Sequence, residues 1–126
     1  MLALLTATTT SSCKHENLQE RFKREAAEYT KKNCPQKIDQ VTVLDSITFA
    51  TDKNQYCYYY SIEGDGAVEL VKSQSDGFHK MLLDGVRNST KLVTEKEAEV
   101  TFTYTYRSKQ SGEEILHFDI KPTDYK

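Results

Sequence analysis

The chain has 126 residues, a net charge of -2 and 29% charged residues. That length supports one domain with a self-sufficient core, and that charge excludes the broad positive field on which non-specific nucleic-acid binding depends. Two prolines and five glycines exclude a long disordered arm, and no run of about 18 apolar residues is present to span a bilayer.

Met1 to Cys13 begins with a short apolar stretch, passes through small residues and reaches a cysteine. This pattern predicts the end of a bacterial lipoprotein signal peptide, with 1–12 as its remnant, Cys13 as the lipid-accepting residue and 13–17 as a tether. Two features depart from the usual motif: no basic residue precedes Leu2, and Thr10 stands where leucine is preferred. The competing reading is a frayed N-terminus with an incidental cysteine. The folded domain is predicted over 18–126.

From Asn17 to Asn33, Leu18, Phe22, Ala26 and Tyr29 fall on one helical stripe, and Glu20/Arg24, Arg21/Glu25, Arg24/Glu28 and Glu28/Lys32 are opposite charges four residues apart. This spacing predicts an amphipathic helix. Asn33-Cys34-Pro35 stops it, because the residue before proline is pushed out of helical geometry. Val41 to Phe49 and Gln55 to Ile62 follow as two strands, the first with a bulge near Leu44 and Asp45. Glu63 to Gly66 reads as a turn. Ala67 to Lys72 fits either a strand or a helix. Ser73 or Ser75 caps a second helix whose stripe is Phe78, Met81, Leu82 and Val86, ending near Asn88.

Val100 to Tyr106 is the best strand in the chain, with Val100, Phe102, Tyr104 and Tyr106 alternating strictly with Thr101, Thr103 and Thr105. After a turn at Ser108 to Gly112 the chain returns as Glu114 to Lys121, with Leu116, Phe118 and Ile120 on the apolar side. The order predicts an α+β fold in which an α-β-β unit is used twice: a four-stranded antiparallel sheet with two helices on one face. The other face would carry Tyr59, Thr101, Thr103, Thr105 and His117, an aromatic among short polar side chains, which is how a recognition surface is built. On the helix side, Tyr56, Tyr58, Tyr60, Tyr104 and Tyr106 read as core, with a ligand-binding aromatic surface as the alternative.

With Cys13 lipidated, Cys34 and Cys57 remain, and an oxidising envelope favours pairing them. The closed loop of about 24 residues would be worth about 3 kcal/mol on the chain-entropy model. Against this, Cys57 points away from the helix-covered face, and two free buried thiols are the alternative. His15, His79 and His117 belong to no metal-binding spacing, so neither a metal nor another cofactor is expected. Asp39, Asp45, Asp65 and Asp119 could pair across the sheet, but no cleft is legible that would make them an acid and base. No phosphate loop or nucleophile elbow occurs.

Asn33-Cys34-Pro35, Leu44-Asp45-Ser46, Tyr58-Tyr59-Tyr60 and the run from Val100 to Arg107 resemble a group of short bacterial envelope proteins, often predicted lipoproteins. The resemblance implies export and the repeated α-β-β order, and it brings no catalytic residues. The expected role is a non-enzymatic binding module in the bacterial cell envelope, periplasmic or surface-facing, that engages a protein or envelope component through the Tyr59/threonine/His117 face or a free sheet edge. It would meet the membrane only through its N-terminal lipid. The rival expectations are an inhibitor of an exported protease or cell-wall hydrolase, and an enzyme built around His117 or Asp45. The oligomeric state is open.

Overall fold

The computed structural model describes residues 16–126, so the predicted signal remnant and the predicted lipidation at Cys13 lie outside the described residues. Helix α1 (Leu18–Asn33) starts on a capping box in which the Asn17 side chain accepts from the Glu20 amide at 2.8 Å and Glu20 reaches back to the Asn17 amide. The helix ends where expected, with Cys34 extended as its C-cap. The amphipathic stripe explains its placement: Phe22 and Ala26 are buried against the sheet, and Phe22 meets Phe49 edge to face at 5.4 Å and Tyr56 at 5.7 Å.

The chain then forms β1 (Gln36–Lys37), β2 (Thr42–Ala50) and β3 (Gln55–Ile62) as an antiparallel meander. The predicted bulge is present as a register shift between Leu44 and Ser46, and Ser61 hydrogen-bonds Asp45 there. Because β1 pairs only with Val43 and Leu44, the outer edge of β2 would be left open beyond them. Thr30 of α1 covers it: its hydroxyl donates to the Ile47 carbonyl and accepts from the Ile47 amide, both at 2.9 Å.

Beyond β3 come α2 (Asp65–Ser73), α3 (Ser75–Asn88) and the short α4 (Val93–Glu97), and only then β4 (Thr101–Ser108), β5 (Glu114–Ile120) and the terminal turn α5 (Pro122–Tyr125). Ala67 to Lys72 is therefore helical, and Asp65 opens its first turn. The three helices carry the chain from the Ile62 end of β3 back to its Gln55 end. As a result β4 lies parallel to β3, with Tyr56 opposite Phe102 and Tyr60 opposite Tyr106. Parallel neighbours require such a crossover, whereas a tight hairpin can join only antiparallel ones.

The sheet is thus five-stranded and mixed, in the order β1-β2-β3-β4-β5, and not the four-stranded antiparallel sheet of a twice-used α-β-β unit. The added strand is the two-residue β1, which is too short to show a period of two. The parallel join is fastened at one end by Asn54, which adopts a left-handed φ of 50° that asparagine tolerates. Its side-chain amide donates to the Ala98 carbonyl at 2.8 Å, and its own carbonyl accepts from the Thr101 amide at 3.0 Å.

All the helices lie on one side of the sheet. α1 packs on β2, while α2 and α3 pack on β5. The core between them includes Phe22, Ile62, Val86, Val100, Phe102 and Ile120, each 0–1% exposed. Among the described residues, no helix is long and apolar enough to cross a membrane.

Candidate functional site

On the helix-free face, strand register sets out the residues singled out by the alternation. Thr105 stands opposite both Tyr59 and His117, and Thr103 opposite both Cys57 and Asp119. The polar groups satisfy one another. Gln55 donates to the Thr103 hydroxyl at 2.6 Å, and Thr103 donates to Asp119 Oδ1 at 2.7 Å. The Thr105 hydroxyl lies 3.1 Å from His117 Nδ1, and His117 Nε2 lies 3.5 Å from the same Asp119 oxygen.

The face therefore brings Tyr59, Thr103, Thr105 and His117 together. Thr101 is on the same face but joins none of these bonds; its amide is spent on Asn54. Thr103 and Thr105 are each only 4% exposed, screened by their larger neighbours. Burial, and the nearby Cys57, push the Tyr59 hydroxyl up from its ordinary value.

Thr105, His117 and Asp119 run in the order of a nucleophile, a base and an orienting carboxylate. Acyl transfer also needs oxyanion donors and room for a substrate. Hollows line α1 beside Thr51, the junction of α2 with α3, the side of α4 toward Tyr125, and the space between α1 and α4, and none of the four includes Thr105, His117, Asp119 or Asp45. The other carboxylates are engaged locally: Asp39 accepts from the Val41 and Thr42 amides at 2.9 and 2.8 Å, which holds its carboxyl below the usual range, and Asp45 accepts from Ser61. Among the described residues, no three His, Cys, Asp or Glu side chains gather as a metal site.

Cys34 and Cys57 are separate thiols. Cys34 sits at the end of α1 beside Thr30 and Asp45, and burial pushes its thiol up. Cys57 neighbours Tyr59 on the open face. His79, on α3, lies flat on Phe118, 4.8 Å between ring centroids and 4° between planes.

The helix side holds the tyrosines that the alternation assigns to the core, and Tyr56, Tyr104 and Tyr106 are buried there. α1 packs on β2 and α2 with α3 on β5, and the tyrosines stand on β3 and β4 between those contacts. Parallel register places Tyr58 beside Tyr104 and Tyr60 beside Tyr106, and each pair stacks face to face at 4.8 and 4.6 Å. Those separations match the spacing of adjacent strands, about 4.8 Å, so the rings stand upright on the sheet with their hydroxyls directed away from it.

Tyr56, Tyr29 and Tyr125 use their hydroxyls within the fold, donating to the Phe22 carbonyl at 3.2 Å, Gln36 Oε1 at 2.6 Å and the Val100 carbonyl at 2.7 Å. Among the described residues, the hydroxyls of Tyr58, Tyr60, Tyr104 and Tyr106 have no such partner. Buried polar groups are normally satisfied, so the hydroxyls of Tyr104 and Tyr106, the two of these four residues that are buried, are exceptions to that rule, while Tyr58 and Tyr60 are half-buried. Burial pushes all four above the ordinary tyrosine value, Tyr60 to about 12.

A cavity of about 190 Å³ opens at the Tyr58 end of this ladder. Ile47, Tyr56 and Tyr58 form its floor, α1 supplies Glu25, Ala26 and Tyr29 on one side, and Leu92 and Glu95 close the other. Tyr58 and Tyr60 keep partial exposure, whereas Tyr104 and Tyr106 are 7% and 4% exposed beneath their partners and Phe78. The alternation of Tyr56, Tyr58 and Tyr60 located these rings on the helix side. The parallel pairing stacks them, and of the four stacked rings Tyr58 is the one that lines the cavity.

Three solved structures share the fold. A candidate secreted protein from Pseudomonas aeruginosa superimposes with a TM-score of 0.76 at 17% identity, covering 93% of this chain and 100% of its own. The pilotin EpsS of the Vibrio vulnificus type 2 secretion system gives 0.60 at 10% identity, covering 86% and 92%. The type II secretion system pilotin AspS from Vibrio cholerae gives 0.53 at 9% identity, covering 85% and 91%. At these identities the likeness is one of fold. No curated protein matches the sequence. Residues 17–117 match the model of a domain of unknown function, DUF8479, and the chain belongs to that family.

Proposed function

We propose that this chain is a non-catalytic binding module of the bacterial envelope that takes a segment of a partner protein into the tyrosine-floored cleft between α1 and α4. The observation that carries this reading is the Tyr58 hydroxyl, without a partner among the described residues, at a cavity lined by the apolar Ala26, Ile47 and Leu92 together with Glu25 and Glu95. A few polar groups set in a mostly apolar concavity are what a binding site requires. The ring faces are already used on one another, so the cleft offers edges and hydroxyls. That suits the mixed polar and apolar surface of a peptide better than the flat face of a base.

The fold shared with a candidate secreted protein and two pilotins of type II secretion systems supports an envelope setting and a partner within a secretion assembly. Lipid attachment at Cys13 is the natural means of holding the domain there. The face bearing Tyr59, Thr103, Thr105 and His117 is the lesser candidate, because its threonine hydroxyls are committed to Asp119 and His117.

Affinity capture from detergent-solubilised envelopes of the source bacterium tests the assignment. The pair Tyr29→Ala and Leu92→Ala is expected to lose the captured protein, while Tyr59→Ala with His117→Ala keeps it. The reverse pattern overturns the cleft in favour of the open face.

A further inference from the structure

We infer that the cavity between α1 and α4 receives one cationic side chain, a lysine or arginine of the partner segment, held by the carboxylates of Glu25 and Glu95 and the hydroxyl of Tyr58. This rests on the reading of the cleft as the binding site and adds the chemistry of the residue it takes.

The local charges favour a cation. Two carboxylates line the cavity, one from each wall, and neither Lys23 nor Lys96 lines it. Glu25 has an ion pair with Arg21 at 3.2 Å, and both side chains are more than 40% exposed, so the pair is solvated and readily shared. The Glu95 carboxylate has no ion pair or hydrogen bond among the described residues. Its neighbour Lys96 is turned away, donating to the carbonyls of Arg87 and Ser89 at 3.0 Å each. The pocket thus has two acids against one guanidinium, and one of those acids is unspent.

A second observation is independent of the acids. Tyr58 is half-buried and lines the same cavity, and its hydroxyl has no partner among the described residues. Burial and the charges around it, Glu95 among them, hold it above its ordinary value, so it stays a neutral hydroxyl that can accept from a guest. A lysine ammonium brings three donors and no acceptor, and the cavity offers two carboxylates and a hydroxyl to meet them. Ala26, Ile47 and Leu92 supply the apolar lining that the methylene stem of such a side chain prefers.

Size narrows the guest further. At about 190 Å³ the cavity falls below the roughly 300–1,000 Å³ of small-molecule sites, which suits one long side chain better than a cofactor.

The test is an NMR titration of the full chain with N-acetyl-lysine methylamide and, separately, with N-acetyl-norleucine methylamide, which has the same length of stem without the ammonium. Saturable shifts are expected at the methyls of Ala26, Ile47 and Leu92, with the lysine compound binding at least about tenfold tighter. The variant carrying Glu25→Gln and Glu95→Gln, checked for an unchanged melting temperature, is expected to lose that preference. Equal binding of the two compounds overturns the cation and leaves the cleft as an apolar site. A preference that survives in the double variant places the cation elsewhere and also overturns the inference. No shift at these methyls from either compound overturns the cation site and the cleft together.

Discussion

Tyr58 on β3 and Tyr104 on β4 stack with their ring planes within 9° of each other, and neither hydroxyl is bonded among the described residues. The stack exists because the two strands run parallel with residue 58 directly opposite residue 104. It packs the rings against one another, with Tyr104 buried and Tyr58 half-buried at the cavity.

Tyr58→Phe keeps the stack and deletes only the hydroxyl. An unmade bond costs nothing to remove, so the guanidinium denaturation midpoint is expected to hold or rise, by up to about 1–3 kcal/mol of unfolding free energy. Capture of the partner is expected to weaken in the same variant. Tyr58→Ala removes the ring as well and is expected to cost about 3 kcal/mol. A destabilised Phe variant would mean that the hydroxyl is bonded inside the fold.

Thr30 closes the edge of β2 by bonding both backbone groups of Ile47. Thr30→Val preserves shape but leaves a donor and an acceptor unmet, at an expected cost of about 1–3 kcal/mol, and Thr30→Ser is expected to recover most of it. Urea unfolding of the two variants checks this, and equal stability of Val and Ser would remove the edge-sealing role.

Stability is expected to fall at alkaline pH. Burial raises Tyr58, Tyr60, Tyr104 and Tyr106 above the value near 10 that they take in the unfolded chain, Tyr60 to about 12 and Tyr104 and Tyr106 further. Below about pH 10 both states hold these protons and the contribution is complete. Above it the unfolded chain releases protons that the folded chain retains, so each tyrosine lowers the unfolding free energy by about 1.4 kcal/mol per pH unit until its folded value is reached. Urea midpoints measured from about pH 8 to pH 11 should be level at first and then decline, with phenolate absorbance appearing together with unfolding. Midpoints that stay level through the upper end would contradict the enclosure of the hydroxyls.

Cys13→Ser is expected to move the protein from the membrane to the soluble fraction of a Gram-negative host expressing it with its natural upstream region, with loss of a diacyl- or triacylglyceryl mass. An unmodified product from the unsubstituted chain would remove the lipid anchor from the account.

Much of the fold could be read from residue patterns because several elements carry strong local signals. The stripe Phe22, Ala26 and Tyr29 and the stop at Pro35 located α1, and alternation located β3 at Gln55–Ile62, the same bounds as in the structure. The bulge at Asp45 showed because the apolar set changes phase there. Topology was less legible. Asp65–Ser73 has only two buried residues, Val68 and Val71, and the preceding Gly64 with Gly66 reads as a turn, so the sequence shows one helix where the crossover has three and does not reveal that β4 lies parallel to β3; the antiparallel pairing of β4 with β5 is as expected. The assignment of Tyr56, Tyr104 and Tyr106 to the core is what the structure shows, but the cavity beside Tyr58 is not legible from the pattern. Alternation shows which side of a sheet a tyrosine faces, but whether a helix covers it depends on the crossover path.

The most direct measurement is photocrosslinking in intact cells with p-benzoylphenylalanine in place of Tyr29, 39% exposed on the cleft wall, and in place of Tyr59 on the opposite face. The two sites replace the same residue type and differ in the side of the sheet they sample. The account predicts a discrete adduct with one envelope protein from position 29, absent from position 59 and lost when Tyr58→Ala is added. An adduct from position 59 alone would contradict it and return the binding role to the threonine face.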